Sequence, residues 1–195
     1  MAKLILASSS LGRKKLLDYL KIPFVIMPSN LDEDKIIGKS PIDTIKLRAK
    51  LKCESVARAA LAKGFTTTSL ILSADSGAIL DNKLIGKPKS KNEAIKMLKV
   101  LSGRTHEFVT AINIIKNKSN ISKSILETTA ESFVTFRKIS NEEIEYYLSI
   151  TDFPRFAGSY ALISAQNFIT KVEGSLSNVI GLPLEIVIPI LKKYL

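Results

Sequence analysis

Apolar and polar positions alternate along the chain in a way that marks out elements of two kinds. Lys3 to Ala7 is a short apolar run and predicts a buried strand, and Phe24 to Met27, after Pro23, predicts another. Between them, Leu11 to Leu20 carries Leu16, Leu17 and Leu20 on one face of a helix. "SPID" at Ser40 to Asp43 reads as a helix start, with a serine cap, proline at the first position and an acid in the first turn. Ile45, Ala49, Cys53, Val56, Ala57 and Ala60 then recur at helical spacing, and Gly64 closes the helix. Ser69 to Ala74 predicts a strand, and "LDNKL" at Leu80 to Leu84 a tight hairpin turn. "SKNE" at Ser90 and "SNEE" at Ser140 are capping-box sequences, the first opening a helix that Gly103 ends. Phe108 to Ile115 and Thr128 to Phe136 predict longer strands, joined by the polar stretch Asn117 to Ser124. A late strand at Phe168 to Val172 and a closing helix at Pro183 to Tyr194 complete the pattern. Strands and helices mix without strict βαβ alternation, so the expected class is α/β, a mixed central sheet flanked by helices.

Composition narrows this picture. The chain has 195 residues and 46% hydrophobic residues, enough for a packed core, and a single domain over 1–195 is expected. No apolar run approaches the ~20 residues of a membrane span, and Leu4 to Ala7 is too short for a signal-peptide core. The one cysteine, Cys53, lies in a helical pattern and reads as a small hydrophobe, which suits a reducing, cytoplasmic compartment. The net charge of +11 is spread along the whole chain without stacking aromatics between the cations. It reads as solubilising charge rather than a nucleic-acid patch, with no membrane partner.

Four stretches could carry chemistry. In "ASSSLGRKK" a strand gives way to a helix N-terminus, where free N–H groups, the Ser8, Ser9 and Ser10 hydroxyls and Arg13 could hold a phosphate. The same residues also fit a Ser10 cap followed by a solvated basic face. "NLDEDK" at Asn30 to Lys35 gathers acids of the kind that bind Mg²⁺ or Mn²⁺, although acidic loops are common on surfaces. Asp75 ends an apolar run, where a carboxylate can face a cleft and bind metal or take a proton from water. The alternative there is an Asx turn, with Lys87 of Gly86-Lys87-Pro88 in solvent rather than on a phosphate. Lys52 lies one turn after Arg48 on a basic helix edge. His106, the only histidine, has no metal-site neighbours in sequence and reads as structural. GxSxG, HExxH, CxxC and GxGxxG patterns are absent. Together, separated cations, an Asp after a strand and an acidic loop describe a site for a polyphosphate with a divalent metal.

These blocks resemble the Maf family of nucleoside triphosphate pyrophosphatases over nearly the whole chain. "LILASSSLGRKKLL" resembles the family's N-terminal signature, "LDEDK" its acidic loop and "LRAKLKCESVA" its lysine-bearing helix. "SADSGAILDNKLIGKPKSKNEAIKMLKVLSGRTHEFVTAI" resembles its central block, and "AGSYALISAQNFITKVEGSLSNVIGLPL" its C-terminal one. The resemblance implies two lobes around a cleft, as in inosine triphosphatases, and a homodimer. It also implies hydrolysis between the α- and β-phosphates of a nucleoside triphosphate with Mg²⁺ or Mn²⁺. By motif, Asp75 is the catalytic acidic residue, and Glu33 and Asp75 fall on the metal site. Ser8, Arg13, Lys52 and Lys87 bind the substrate. Three departures stand out: Gly12 where the family has an arginine, Ser76 after Asp75 where it has threonine, and Ile163 in place of a glutamine. That glutamine belongs to the pyrimidine-preferring group, so the resemblance assigns no base. A regulator of cell division that binds without turnover is the alternative function.

Overall fold

The computed structural model describes residues 3–64, 68–118 and 121–195. Its centre is a seven-stranded mixed sheet in the order β2-β1-β3-β5-β6-β7, with β4 attached to β3. The strands are β1 (Lys3–Leu6), β2 (Phe24–Ile26), β3 (Ser69–Leu80), β4 (Lys83–Ile85), β5 (Thr105–Lys118), β6 (Ile121–Phe136) and β7 (Ile169–Glu173). The helices are α1 (Leu11–Tyr19), α2 (Pro41–Ala62), α3 (Lys91–Leu101), α4 (Asn141–Ile150), α5 (Leu176–Ile180) and α6 (Leu184–Tyr194). No helix among the described residues is long and apolar enough to cross a membrane.

Local signals hold where they were clear. The Ser40 hydroxyl accepts from the Asp43 N–H, with Pro41 in the first turn of α2. Ser140 and Glu143 form a complete capping box at α4. The α3 box is only half made: Ser90 caps Glu93, but the Glu93 carboxylate takes the Lys89 N–H at 2.8 Å instead of that of Ser90. Asp81 and Asn82 adopt positive φ of 51° and 57°, as a two-residue hairpin between β3 and β4 requires. The polar stretch Asn117 to Ser124 is largely strand: β5 runs to Lys118 and β6 starts at Ile121, while 119–120 lie outside the described residues. α5 carries no amphipathic run and went unpredicted.

The largest departure from the sequence pattern is β3. It does not end at Ala74 but runs through Asp75 to Leu80, 12 residues in all. One edge is paired with antiparallel β5 from Ser69 to Ile79. The other edge changes partner. It pairs with parallel β1 from Ser69 to Leu72, then with antiparallel β4 from Ala78 to Leu80. Between these, residues 73–77 face no strand on that side among the described residues.

Strand alternation sends residues 71, 73, 75, 77 and 79 to one face of β3 and 70, 72, 74, 76 and 78 to the other. On the first face α2 packs Ala49, Cys53, Val56, Ala57 and Ala60 against the sheet. The second face holds two separate cores. One joins Leu4, Leu6, Leu70 and Leu72 to Leu17 of α1 and to Val187 and Leu191 of α6. The other joins Ala78, Phe108 and Phe136 to Leu98 and Leu101 of α3 and Ile144 and Leu148 of α4. Ser76 falls between Ala74 of one core and Ala78 of the other, and α5 packs on β5 and β6. These two cores are the physical basis of two lobes, and the bare edge of β3 lies where they meet.

Leu98 is fully buried in the α3–α4 core. Leu98→Ala should lower unfolding stability by about 2–5 kcal/mol, read as a lower urea midpoint at unchanged slope.

Candidate active site

The bare stretch of β3 gathers charge on its α2 face. Asp75 is 6% exposed and Lys52 of α2 only 4%. Lys52 Nζ lies 2.6 Å from Asp75 Oδ1 and 3.4 Å from Glu33 Oε1. Burial of so hydrophilic a side chain needs such partners. The helix is fixed there by its apolar stripe and by the Ser73 hydroxyl, which donates to the Ala49 carbonyl at 2.7 Å. Glu33 opens a 3-10 turn, Glu33–Lys35. Arg48 holds the end of that turn by donating to the Ile36 carbonyl at 3.1 Å, and Thr44 accepts from the Gly38 N–H. Arg48 thus anchors the acidic loop rather than lying in solvent.

The two carboxyls divide the proton unequally. Burial pushes Asp75 above the usual carboxylate range, reinforced by the Glu33 charge and opposed by Lys52 and Arg13. Burial also acts on Glu33, but the Lys52 and Lys87 charges and a hydrogen bond with Asp75 outweigh it and hold Glu33 low. Asp75 is therefore the stronger base of the pair.

On the opposite face, the turn from β1 to α1 supplies Ser8 and Arg13. Ser10 occupies the cap position, but its side chain makes no capping bond. Instead the Ser8 hydroxyl accepts from the Ser10 N–H at 3.2 Å. Arg13 is 8% exposed, so it is not part of a solvated face, although Lys14 and Lys15 are exposed. Its guanidinium donates to Gly181 O at 2.8 Å, Ser8 Oγ at 2.9 Å and Ser76 Oγ at 2.9 Å. Ser76 Oγ also meets Thr110 Oγ1 at 2.9 Å, and Thr110 donates to the Asn178 carbonyl at 3.1 Å. Gly181 has φ of +110°, and a Cβ there would meet Ser76 Oγ at 3.4 Å and Arg13 Nε at 3.5 Å. Glycine suits both the backbone and the close approach.

The structure thus brings Glu33, Lys52 and Asp75 into direct contact and sets Ser8 and Arg13 behind the same strand. Lys87 is exposed and close enough for its charge to act on Glu33. Its loop is tied down where Gly86 O accepts the Gly158 N–H at 2.9 Å, and Lys89 pairs with Asp34 at 3.4 Å. Ile163 is 67% exposed. His106 belongs to the α3–α4 side, bonded to Tyr160 at 2.8 Å, and burial pushes it down to about 4, so it is neutral. Sequence reasoning missed Thr110, Asn178 and Gly181. The visible signal was a polar residue inside the apolar run of β5 and the Gly-Leu-Pro that follows α5.

Among the described residues no group of three or more His, Cys, Asp or Glu could hold a metal. Two carboxylates converging on one cation, here the Lys52 ammonium, still fit Mg²⁺ or Mn²⁺. Magnesium commonly takes one or two carboxylates and completes its shell with water and substrate phosphate.

A family model described as "Maf-like protein" matches residues 3–194. The chain belongs to the Maf family. The Maf-family relatives include a "dTTP/UTP pyrophosphatase" of Pyrococcus furiosus, 38% identical over 98% of this chain and 95% of the relative. Another of the same name, from Treponema denticola, is 37% identical over 99% of this chain and 97% of the relative. Among solved structures, a HAM1 protein from Coxiella burnetii covers 99% of this chain and 100% of its own, with a TM-score of 0.51 and 16% identity. That likeness is one of fold. Gly12 of this Maf-family chain is explained by packing, since a Cβ there would lie 2.9 Å from the Ile180 carbonyl oxygen.

Two outcomes follow from this geometry. Gly12→Ala should destabilise by about 1–2 kcal/mol in urea unfolding, because the clash with a backbone carbonyl exceeds the helix-propensity gain. Lys52→Met leaves the buried Asp75 carboxylate and the half-buried Glu33 carboxylate without their cation and should cost about 3 kcal/mol at pH 7 in chelator. The variant's folded carboxyls then bind protons more tightly than the unfolded chain does. Its stability should rise as pH falls from 7 toward 5, measured as the unfolding midpoint. An unchanged midpoint at pH 7 would contradict the burial of this pair.

Proposed function

We propose that this chain is a hydrolase that cleaves nucleoside triphosphates between the α- and β-phosphates, releasing the nucleoside monophosphate and pyrophosphate. The observation that carries the reading is the Glu33–Lys52–Asp75 cluster on the bare edge of β3. Membership in a family whose listed relatives are named dTTP/UTP pyrophosphatase supports the same reaction.

Each residue has a task in this reading. Glu33 and Asp75 would hold a divalent cation, which when bound acidifies a water and offsets phosphate charge. Asp75, whose burial raises its proton affinity, receives a proton from the attacking water. Water adds at the α-phosphorus, the bond from that phosphorus to the α,β-bridging oxygen breaks, and pyrophosphate leaves with the bridging oxygen and the electron pair of that bond. Lys52 and Lys87 balance the charge that gathers on the leaving group, where electrostatic stabilisation contributes most. The Ser8 hydroxyl and the N-terminus of α1 donate to phosphate oxygens. Arg13 stands behind them and donates to the Ser8 hydroxyl. The relatives' name puts dTTP and UTP first among candidate substrates. Ile163 stands, apolar and exposed, where the family resemblance expects a glutamine, so the base is what a substrate panel decides.

With Mg²⁺ or Mn²⁺ and a panel of standard and modified nucleotides, the purified protein should release pyrophosphate, and a chelator should stop it. Asp75→Asn should keep the fold by circular dichroism and lose roughly 10²-fold or more in turnover. Orthophosphate as the sole inorganic product would refute the reaction, and full activity in Asp75→Asn would refute the role of that residue.

A further inference from the structure

The hydrogen bonds around Arg13 have a direction that can be worked out from their members. A guanidinium has five N–H donors and no acceptor. Three of them are directed into the protein, to Gly181 O, Ser8 Oγ and Ser76 Oγ. These contacts come from three separate segments, so the plane of the guanidinium is fixed.

Ser8 Oγ accepts from Arg13 Nη1 at 2.9 Å and from the Ser10 N–H at 3.2 Å. A hydroxyl has two acceptor sites and one hydrogen. Both acceptor sites are filled, and among the described residues no acceptor takes the hydrogen. Ser8 is therefore a donor toward any ligand. Ser76 has the opposite sense. Thr110 sits 3.1 Å from the Asn178 carbonyl, which can only accept, so the single Thr110 hydrogen lies in that contact. The 2.9 Å contact between Ser76 and Thr110 must then use the Ser76 hydrogen. Ser76 accepts from Arg13 and donates to Thr110, which leaves it no hydrogen for a ligand.

We propose that Arg13 is a positioning residue. It is held on three sides by Gly181, Ser76 and Ser8, and it acts through Ser8 by filling that hydroxyl's acceptor sites, which leaves a donor set for a phosphate oxygen. Ser76 and Thr110 form the anchor that holds the guanidinium in this pose. The proposal rests on the site being one for a polyphosphate, and it has Arg13 act through the Ser8 hydroxyl.

The test is a double-mutant cycle on binding of inorganic pyrophosphate, read by calorimetry in magnesium buffer with each variant's fold checked by circular dichroism. Ser8→Ala should weaken binding roughly tenfold or more. Arg13→Lys and Arg13→Gln should lose a similar factor, with lysine no better than glutamine, because neither makes the three bonds. In the Ser8→Ala background, Arg13→Lys should change binding by less than about twofold. Losses that multiply in the double variant, a lysine that retains what glutamine loses, or no binding by the wild-type protein would each overturn the proposal. If the Arg13 variants do not fold, Ser76→Ala takes their place. It should weaken binding a few-fold alone and not at all in the Ser8→Ala background, and multiplying losses would again overturn the idea. Nucleotide turnover by the wild-type protein is measured separately. Coupled pyrophosphate binding without turnover would sustain the role of Arg13 while refuting the proposed reaction.

Discussion

A strand edge without a partner inside a sheet is the constraint on which the rest of this structure depends. Backbone N–H and C=O groups there must find other partners, which is why sheet edges are usually paired or covered. In β3, among the described residues, the vacancy spans residues 73–77, between a parallel neighbour at one end and an antiparallel one at the other. The partner change cannot be avoided in this topology. β1 turns away into α1 at the level of Leu6, whereas β4 comes back from a hairpin at Asp81–Asn82 and reaches only Ile85. The same gap separates the two cores on the α1 side of the sheet. Cleft and lobes are one consequence of where two short strands stop.

The polar groups lining that gap come from both faces. On the α2 face, Lys52 enters among alanines and a cysteine and is tolerated because Asp75 and Glu33 meet it. On the other, Arg13 is buried among neutral acceptors, with Asp75 and Glu33 acting on it only as more distant charges. Buried charges of this kind add little net stability and hold geometry well. The alternation of β3 places Asp75 and Ser76 on opposite sides of the strand, so each cation has its own carboxyl or hydroxyl and the two do not compete.

Local signals were legible in the sequence. The Ser40 and Ser140 caps, the Asp81–Asn82 turn and the apolar stripe of α2 depend on residues a few positions apart. The family blocks pointed to Glu33, Lys52 and Asp75 as one site, and the structure brings these three together. What could not be read depended on distant neighbours. An apolar run followed by Ser-Ala-Asp-Ser looks like a strand ending, and only pairing with β5 shows that it continues. Local pattern alone left Arg13 open between a phosphate site and a solvated face, because its acceptors lie 5, 63 and 168 positions away. α5 is too short for a periodic pattern, and Thr110 is one polar residue in an apolar strand whose partner is a backbone carbonyl at Asn178.

The bond from Arg13 to Gly181 carries a consequence for how the molecule comes into being. The first strand is inner to the sheet, and its turn is finished by a carbonyl 168 positions later. During synthesis the N-terminal segment emerges first and waits. Its guanidinium lacks this acceptor until synthesis has passed Gly181. Contacts of such span are slow to form, because loop closure must precede them. The Arg13 end of the cleft is therefore completed late in synthesis. A chain cut short before α5 would hold Asp75 and Lys52 but lack the carbonyls at Asn178 and Gly181 that order the hydroxyls. The order of these hydroxyls is in this way tied to the making of α5 and the residue that follows it.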